Sequence, residues 1–358
     1  MKKVLILTAG YGEGHNSAAR GIQAGLLRMA PGAQVECHDL FAEAYGAVNE
    51  WVRQGYLGLI NNWPRSWGLV YRWLDRKTDF DRDLRWFTPL KRHFAPLLNR
   101  FQPDIVVSVY PPYPYLLQQI QPDRTCRSVV VVTDSITVNA IWYRCTADAF
   151  LVPNEQSAVV LRAAGIAPEK IKAFGFPVNP KFAELPRRTP PSRTERPRIL
   201  YMINAGKKRA PEITQRLSAL DIDLTVTVGR DERLRKLIET AGRGRPVKIV
   251  GWTEHLPELL CQSHVLIGKA GGATVQEAIA AGCPMIVNHI VSGQEEGNAQ
   301  LIVETRSGAV ARAPAEVAGH VQRLFSDDST LWREWAKNIA ALSRPRASLD
   351  IADFLMAL

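Results

Sequence analysis

A histidine in the first glycine-rich loop could act as a general base. The apolar run Val4–Ala9 ends in a glycine-rich loop that reaches His15, and a helical pattern follows. An imidazole at that place can take a proton near neutral pH, and the carboxyl ends of strands are where open α/β sheets bind ligands. Glu13 is the second candidate for this role, and a structural role for a lone histidine stays open. The loop lacks a dinucleotide fingerprint, because Gly10 and Gly12 fit it but His15 occupies the third glycine position.

A second pattern, from Gly268 to Ala278, is typical of diphosphate binding. An apolar strand runs into a glycine-rich turn, and the turn opens a helix. Backbone amides of such a turn can approach a diphosphate, and the helix N-terminus adds a favourable partial charge. Lys269 could supply a full countercharge, and Glu277, about one turn into the helix, could accept hydrogen bonds from a ribose diol. The alternative is a tight strand-to-helix turn with no ligand.

The next loop carries side chains suited to a sugar. A strand at Pro284–Asn288 precedes Gln294, Glu295 and Asn298. Amides and carboxylates together can satisfy sugar hydroxyl groups, each of which both donates and accepts hydrogen bonds. The alternative is an ordinary helix start with acidic residues in its first turn.

The stretch 51–100 combines tryptophans with cations. It holds five of the nine tryptophans, and ten Lys or Arg residues against four Asp. Rings and cations interleaved in this way suit a membrane surface with anionic lipids. The alternatives are a helical insertion with buried tryptophans and a surface for single-stranded nucleic acid, although no nucleic-acid motif supports the latter. The membrane prediction rests on Trp63, Arg65, Trp67, Arg72 and Trp73.

Composition limits the class and the compartment. The 358 residues suffice for two domains, and 45 basic against 35 acidic residues give a net charge of +10 that suits anionic partners. The five scattered cysteines form no CxxC pair, which argues against disulfides and a metal site and favours a reducing compartment. The opening Met1–Leu7 resembles a signal peptide but is better explained as a first strand. No apolar run approaches the roughly 18 residues of a spanning helix.

Short apolar runs alternate with helical patterns along both halves of the chain. Near-continuous apolar runs are typical of parallel strands covered on both faces, which predicts an α/β fold with doubly wound sheets. The stretch 179–197, rich in proline and arginine, has the composition of a linker between two similar domains. Asn16 or Ser17 is expected to cap the first helix, which should end near Met29. The predicted strands are Val4–Ala9, Ile105–Val109, Val129–Thr133, Ala149–Val152, Ile199–Ile203, Leu224–Val228, Val247–Gly251, Val265–Gly268 and Met285–Asn288.

Together these motifs resemble the monogalactosyldiacylglycerol synthase and processive diacylglycerol glucosyltransferase family over nearly the whole chain. A more distant similarity is to the peptidoglycan enzyme that transfers N-acetylglucosamine to lipid I. The most specific part is the run from Val265 to Asn298. The motifs that carry the resemblance are Leu5–His15, Val131–Asp134 with Trp142, Phe174–Val178, Gly271–Gly272, Gln276–Ala278, Gly282–Val287 and Gly293–Glu295.

The resemblance implies a GT-B architecture of two Rossmann-like domains. The acceptor domain would span 1–178, the nucleotide-sugar domain 198–340, and the segment 341–358 would cross back to the first domain. Transfer would be inverting and would need no metal or cofactor: His15, or Glu13 in its place, takes the acceptor proton, and UDP leaves toward a helix N-terminus.

The resemblance also assigns residues to subsites. Glu277 matches the ribose contact, and Trp252 and Thr253 lie where the family holds the uracil. Gln294 and Glu295 match the donor-sugar contacts. The full nucleotide-sugar set is Gly12, Gly14, Trp252, Thr253, Lys269, Gly271, Gly272, Ala273, Thr274, Glu277, Gln294, Glu295 and Asn298, and the acceptor or membrane set is Trp63, Arg65, Trp67, Arg72, Trp73 and Asp134.

Two segments depart from the family pattern. The family has a histidine a few residues after the Thr133-Asp134 pair, where this chain offers Asn139 nearby. The family is also glycine-rich after the first strand of the second domain, whereas this chain has Asn204–Arg209. A phosphate contact there would rest on side-chain charge more than on close backbone approach.

The leading hypothesis is a cytoplasmic enzyme, peripheral on the inner face of the cell membrane. It would move a hexose from UDP-galactose or UDP-glucose to diacylglycerol. Anionic lipids would be further partners, and binding of nucleic acid is not expected. The alternatives are a transferase for another lipid-linked or small-molecule acceptor, a nucleotide-sugar 2-epimerase of the same fold, and a non-catalytic sugar-nucleotide sensor. A basic, aromatic membrane insertion favours the transferase over the epimerase.

Overall fold

The structure, a computed structural model, describes residues 1–11, 13–46, 84, 87–136, 138–192, 195–291 and 295–358. Within these ranges the chain forms two compact units, each built on a parallel sheet. The first unit comprises Met1–Pro180, Ser292–Gly297 and Arg346–Leu358, and the second comprises Lys181–Val291 and Asn298–Pro345. The predicted class, two parallel-sheet α/β domains, is confirmed.

The first unit alternates strands and helices. Its elements before residue 180 are β1 (Lys3–Thr8), α1 (Glu13–Met29), β2 (Gln34–Asp39), α2 (Thr88–Phe101), β3 (Ile105–Ser108), α3 (Pro112–Ile120), β4 (Arg127–Val131), β5 (Ala149–Leu151), α4 (Glu155–Ala163) and β6 (Ile171–Lys172). Among the described residues, the six strands lie in the order β2–β1–β3–β4–β5–β6. The central strands β1, β3 and β4 are apolar and almost wholly buried, as expected for strands covered on both faces.

The first helix begins earlier than its polar residues suggest. α1 starts at Glu13, so the predicted cap at Asn16 or Ser17 is wrong, whereas the predicted end at Met29 is confirmed. Asn16 lies inside the first turn, where its Oδ1 accepts a hydrogen bond from the Thr8 hydroxyl at 2.9 Å. The side chain therefore ties the helix to the end of β1 instead of capping it.

The second unit repeats the same alternation. Its elements are β7 (Arg198–Met202), α5 (Ala210–Leu217), β8 (Asp223–Gly229), α6 (Glu232–Ala241), β9 (Val247–Gly251), α7 (Leu256–Cys261), β10 (Val265–Lys269), α8 (Gly272–Ala281), β11 (Met285–His289), α9 (Glu296–Glu304), β12 (Gly308–Val310), α10 (Pro314–Phe325) and α11 (Thr330–Leu342). Its described strands lie in the order β12–β11–β10–β7–β8–β9. The central pair β7 and β10 places Tyr201 and Ile267 in a fully buried core.

A final helix, α12 (Ala347–Ala357), completes the first unit by packing on α1. Two glycines of α1 make the contact close. A Cβ at Gly21 would lie 2.7 Å from the carbonyl carbon of Pro177, and one at Gly25 would lie 2.8 Å from the carbonyl carbon of Ser348. The Ser348 hydroxyl donates to the carbonyl oxygen of Val178. The two helices therefore touch backbone to backbone at Gly25, and α1 touches the backbone of Pro177 at Gly21. A residue larger than glycine would prevent either contact.

None of the helices in the described ranges is long and apolar enough to cross a membrane. All five cysteines are free thiols. The predicted membrane residues Trp63, Arg65, Trp67, Arg72 and Trp73 lie outside the described residues.

Candidate functional site

His15 lies at the carboxyl edge of the first sheet, as the third residue of α1. β1 reaches this edge at Thr8, and β3 and β4 end beside it in the parallel sheet. The residues that follow those strands, Val109 and Thr133, lie against the imidazole. Three neighbouring strands therefore converge on one side chain.

Hydrogen bonding fixes the position of the proton on His15. Its Nδ1 lies 2.8 Å from the carbonyl oxygen of Val109. A carbonyl oxygen only accepts, so Nδ1 carries the hydrogen, and Nε2 of the neutral ring keeps an unprotonated lone pair. Burial lowers the pKa of His15 from 6.5 to about 4, although the hydrogen bond to Val109 acts in the opposite direction. The side chain is therefore neutral at neutral pH, as a general base must be.

Two aromatic rings pack on this imidazole. The Tyr110 ring meets it edge-on with centroids 5.0 Å apart, and the Trp142 ring lies at 6.0 Å. Trp142 is buried, and its indole Nε1 donates to Oδ2 of Asp134 at 2.8 Å. Asp134, a residue of the predicted acceptor or membrane set, thus holds the indole that packs on the candidate base.

Asn139 shapes the same wall of the site. This residue lies near the position where the family has a histidine and this chain has none. It is buried, and its side chain accepts a hydrogen bond from the backbone N–H of Ile141. It thereby caps the short 3₁₀ helix Ala140–Trp142. The polar side chain thus supports the turn that carries Trp142.

The other loop residues are less enclosed than His15. The Glu13 side chain is 81% exposed and lies 3.5 Å from Arg20. An ion pair so exposed to water contributes little energy. A Cβ at Gly14 would meet open space, and Gly12 lies outside the described residues. The geometry therefore favours His15 over Glu13 as the base.

In the second unit, the glycine-rich turn connects β10 to α8. Gly271 is the N-cap in an extended conformation, and it has no side chain to bond the first amides of the helix. The Ala270 N–H donates to the His289 carbonyl oxygen at 3.0 Å, and the Asn298 Nδ2 donates to the Ala270 carbonyl oxygen at 3.0 Å. The turn is thus fixed to β11 and α9, and the start of α8 presents the amide end that suits a diphosphate.

Asn298 lies in the first turn of α9, and Glu295 immediately precedes that helix. Both are only 5% exposed, and Oδ1 of Asn298 has no hydrogen-bond partner among the described residues. Leaving a buried acceptor unpaired costs about 1–3 kcal/mol, so a donor on a ligand would be favoured there. A sugar hydroxyl is such a donor. Gln294, predicted for the same contact, lies outside the described residues.

The remaining predicted residues of this turn lie in the first two turns of α8 and at the end of β10. Glu277 lies in the second turn of α8 and is half-buried, Thr274 is buried, and Gly272 and Ala273 are half-buried in the first turn. Lys269 ends β10, where the register against β11 shifts by one residue after Gly268. This irregularity ends the strand pairing where the turn begins.

The loop after β7 uses its cations within the protein. Gly206 adopts a left-handed conformation (φ 67°) beside His289. The Lys207 ammonium pairs with the Asp231 carboxylate at 2.6 Å. Arg209 donates to a backbone carbonyl at 2.6 Å, whereas Lys208 is exposed. The expectation that side-chain charge here meets a phosphate therefore centres on Lys208.

The predicted uracil residues lie at the carboxyl edge of the second sheet. Trp252 follows β9 and is 59% exposed, and the Arg230 guanidinium lies 4.9 Å from the centroid of its ring. The Thr253 hydroxyl oxygen accepts a hydrogen bond from the backbone N–H of His255 at 3.0 Å. A guanidinium stacked on an exposed indole forms a flat cationic surface on which a base could lie.

Sequence reasoning missed three contributors to these sites: the Val109 carbonyl, the Thr133 hydroxyl and Arg230. Thr133 lies in the family motif Val131–Asp134, next to the predicted site residue Asp134. That position is the signal in the sequence from which its place in the site could be predicted. The carbonyl and the arginine carry no comparable pattern. Among the described residues, no three His, Cys, Asp or Glu side chains form a group that could hold a metal ion.

Comparison with known proteins finds glycosyltransferase relatives for both halves of the chain. Residues 15–178 match the family model for monogalactosyldiacylglycerol (MGDG) synthase, and residues 200–336 match the glycosyltransferase family 28 C-terminal domain. A processive diacylglycerol beta-glucosyltransferase of Bacillus subtilis is 27% identical over 367 residues, which are 99% of this chain and 95% of that protein. A probable chloroplastic monogalactosyldiacylglycerol synthase of Glycine max is 28% identical over 377 residues, which are 98% of this chain and 70% of that protein.

Solved structures agree in fold. The crystal structure of MurG from Acinetobacter baumannii gives a TM-score of 0.64 with 14% identity over 100% of both chains. Two parallel α/β units that match glycosyltransferase families in both halves define the class, a GT-B hexosyltransferase. Within that class, the chain is similar over nearly its whole length to monogalactosyldiacylglycerol synthases and to a processive diacylglycerol glucosyltransferase.

Proposed function

We propose that the protein transfers galactose or glucose from the UDP-hexose to diacylglycerol, with inversion at the anomeric carbon and without a metal ion. The observation that carries the proposal is the state of His15. Its Nδ1 donates to the Val109 carbonyl and its pKa is lowered to about 4, so Nε2 is available as a base at neutral pH. The acceptor is inferred from relatives, since the Bacillus subtilis relative is a diacylglycerol glucosyltransferase.

In the proposed step, Nε2 of His15 removes the proton of the acceptor hydroxyl while that oxygen attacks the anomeric carbon. The bond from the anomeric carbon to the diphosphate oxygen breaks, and UDP leaves with the electron pair. Attack opposite the leaving group inverts the anomeric centre. A positioned base of this kind contributes about 10²- to 10⁴-fold to the rate.

The second unit would hold the donor at the start of α8. Amides of the first helical turn after Gly271 and the ammonium of Lys269 would stabilise the charge on the departing diphosphate. Glu277 would accept hydrogen bonds from the ribose diol, and Trp252 with Arg230 would stack on the uracil. Oδ1 of Asn298 would accept a hydrogen bond from a hydroxyl group of the transferred sugar. Because backbone dipoles and one ammonium supply the positive charge, the proposal requires no divalent cation.

We also propose that the enzyme works as a peripheral protein on the cytoplasmic face of the cell membrane. The support is the composition of 51–100, with ten cations against four Asp and five tryptophans. Diacylglycerol remains in the bilayer, so an enzyme that uses it must reach the interface. Anionic lipids would attract the cations of this stretch.

The test is transfer from UDP-galactose and UDP-glucose to diacylglycerol in vesicles, with EDTA present and the anomeric configuration of the product identified. His15→Ala should reduce turnover about 10²- to 10⁴-fold with UDP affinity preserved, whereas Glu13→Gln, at an exposed carboxylate in the same turn, should stay within a few-fold of wild type. Turnover by His15→Ala close to wild type, or loss of activity in EDTA, would contradict the mechanism. Transfer only to a different lipid or soluble acceptor would contradict the substrate.

A further inference from the structure

The Thr133 hydroxyl lies beside the proton-bearing nitrogen of His15. Its Oγ1 is 3.2 Å from Nδ1, and the Val109 carbonyl oxygen is 2.8 Å from the same atom. The side chain is 6% exposed, so water does not readily replace it. Thr133 comes from the loop after β4, whereas Val109 follows β3. Two separate strands thus supply oxygens to one N–H group.

The direction of these hydrogen bonds follows from the carbonyl. Because Val109 can only accept, Nδ1 bears the hydrogen, and the Thr133 oxygen can meet that hydrogen only with a lone pair. The result is one N–H shared between two acceptors. A half-turn of the imidazole would exchange Nδ1 for a C–H group and lose both interactions. A proton on Nε2 instead would place the Nδ1 lone pair against the carbonyl oxygen.

We propose that Thr133 is a positioning residue for His15. Together with the Val109 carbonyl, it holds the imidazole in one orientation and in the Nδ1–H tautomer, so that Nε2 keeps its lone pair for the acceptor hydroxyl. This inference rests on the proposed role of His15. When Nε2 takes the hydroxyl proton, the anomeric carbon–diphosphate bond breaks and UDP carries away the electron pair. Nδ1 keeps its hydrogen throughout, and the two oxygens stabilise the imidazolium that forms.

The alternative is that Thr133 merely fills space beside the ring. Thr133→Val keeps the shape and removes the hydroxyl, and Thr133→Ser keeps the hydroxyl and removes the methyl group. Thr214 provides a matched control, because it is fully buried in the second unit and its Oγ1 has no hydrogen-bond partner among the described residues. Thr214→Val should therefore leave turnover and the state of His15 unchanged.

Two measurements separate the possibilities. The first is kcat and KM with UDP-galactose or UDP-glucose and diacylglycerol, together with calorimetry of UDP. The second is a ¹⁵N spectrum of labelled histidine side chains, with the His15 signals assigned by their loss in His15→Gln. That spectrum reports the tautomer directly and requires no turnover.

We expect Thr133→Val to lower kcat about 2- to 12-fold, as loss of one hydrogen bond does, with KM and UDP affinity unchanged. Its His15 signals should show an added Nε2–H population, whereas wild type and Thr133→Ser show Nδ1–H alone. Thr133→Ser should recover kcat to within about 2-fold of wild type, because it retains the hydroxyl that accepts the hydrogen bond. If Thr133→Val does not fold, Thr133→Ala replaces it in the comparison with Thr133→Ser.

Wild-type kcat and an unchanged spectrum in Thr133→Val would overturn the proposal, and so would a Thr133→Ser variant as impaired as Thr133→Val. Failure of the proposed function is distinguishable. If the wild-type protein transfers no hexose to diacylglycerol, the substrate is wrong, and the ¹⁵N spectra of wild type, Thr133→Val and Thr133→Ser still decide whether Thr133 holds the tautomer.

Discussion

The close contact between α1 and α12 allows a quantitative prediction for Gly25→Ala. A Cβ at this position would lie 2.8 Å from the Ser348 carbonyl carbon and nearer still to its oxygen, and real Cβ atoms essentially never approach a neighbour within 3.0 Å. Both neighbouring atoms are backbone, so α12 must move as a body. Overpacking of this kind costs about 1–3 kcal/mol, and the displaced Ser348 hydroxyl would lose a hydrogen bond worth about 1 kcal/mol.

The gain in helix propensity opposes this cost. Replacing glycine by alanine inside a helix stabilises the helix by about 1 kcal/mol. This gain offsets about as much as the lost hydrogen bond costs, so the overpacking remains, and Gly25→Ala should lower the free energy of unfolding of the first unit by about 2 kcal/mol. Gly319 is the matched control, since it lies inside α10 and its Cβ would meet nothing within 4 Å. Gly319→Ala should therefore raise the free energy of unfolding by up to about 1 kcal/mol.

The assay is urea denaturation of both variants, followed by hydrogen exchange of peptides from α1 and α12. Gly25→Ala should unfold at lower urea and lose protection in both helices, whereas Gly319→Ala should leave those peptides unchanged. A Gly25→Ala protein as stable as Gly319→Ala would refute the close packing of α1 on α12.

Three further predictions concern the nucleotide, pH and the membrane. Glu277→Ala should weaken UDP binding roughly 10- to 150-fold, the effect of losing charged hydrogen bonds to a diol; unchanged affinity by calorimetry in a folded variant would remove Glu277 from the site. Burial, with the charges of Arg188 and Arg198, lowers the pKa of His264 from 6.5 to about 4, so the unfolded state binds a proton first and the free energy of unfolding should fall as pH drops through that interval, by a few kcal/mol at most. Urea titrations would contradict this prediction if the wild type were equally stable at pH 7 and pH 4.5 while His264→Gln lost more stability at the lower pH. Replacing Trp63 and Trp67 by Ala should reduce co-sedimentation with anionic vesicles while UDP affinity persists, and binding should weaken as salt rises; indifference to anionic vesicles at low salt would favour a soluble acceptor.

The central strands and the glycine-rich turn could be predicted because their signals are local. β1, β3 and β10 are apolar runs that end where polar or glycine residues begin, and buried parallel strands require that pattern. β2 was missed because it forms an edge of the sheet, where His38 and Glu36 can pair with each other and remain partly exposed. Its sequence therefore lacks the continuous apolar run of a central strand.

The interior of the first site could be predicted only in part. The glycine-rich loop identified His15, but its hydrogen-bond partner is a backbone carbonyl that any residue at position 109 would supply. Side-chain patterns carry no record of such a contact. The prediction for Asn16 was wrong because asparagine is a common helix cap, whereas here its side chain accepts a hydrogen bond from the Thr8 hydroxyl inside the helix.

The position of α12 in the chain bears on the order in which a nascent polypeptide can fold. The first unit takes its last helix from residues made after the 165 residues, 181–345, that separate its two main parts. Most of the second unit's chain has left the ribosome by then, so that unit can fold during synthesis while the α1 surface at Gly25, which packs on Ser348 of α12, stays uncovered. Domains usually complete in the order of translation; here the amino-terminal unit receives its last helix only after the residues of the second unit have been made.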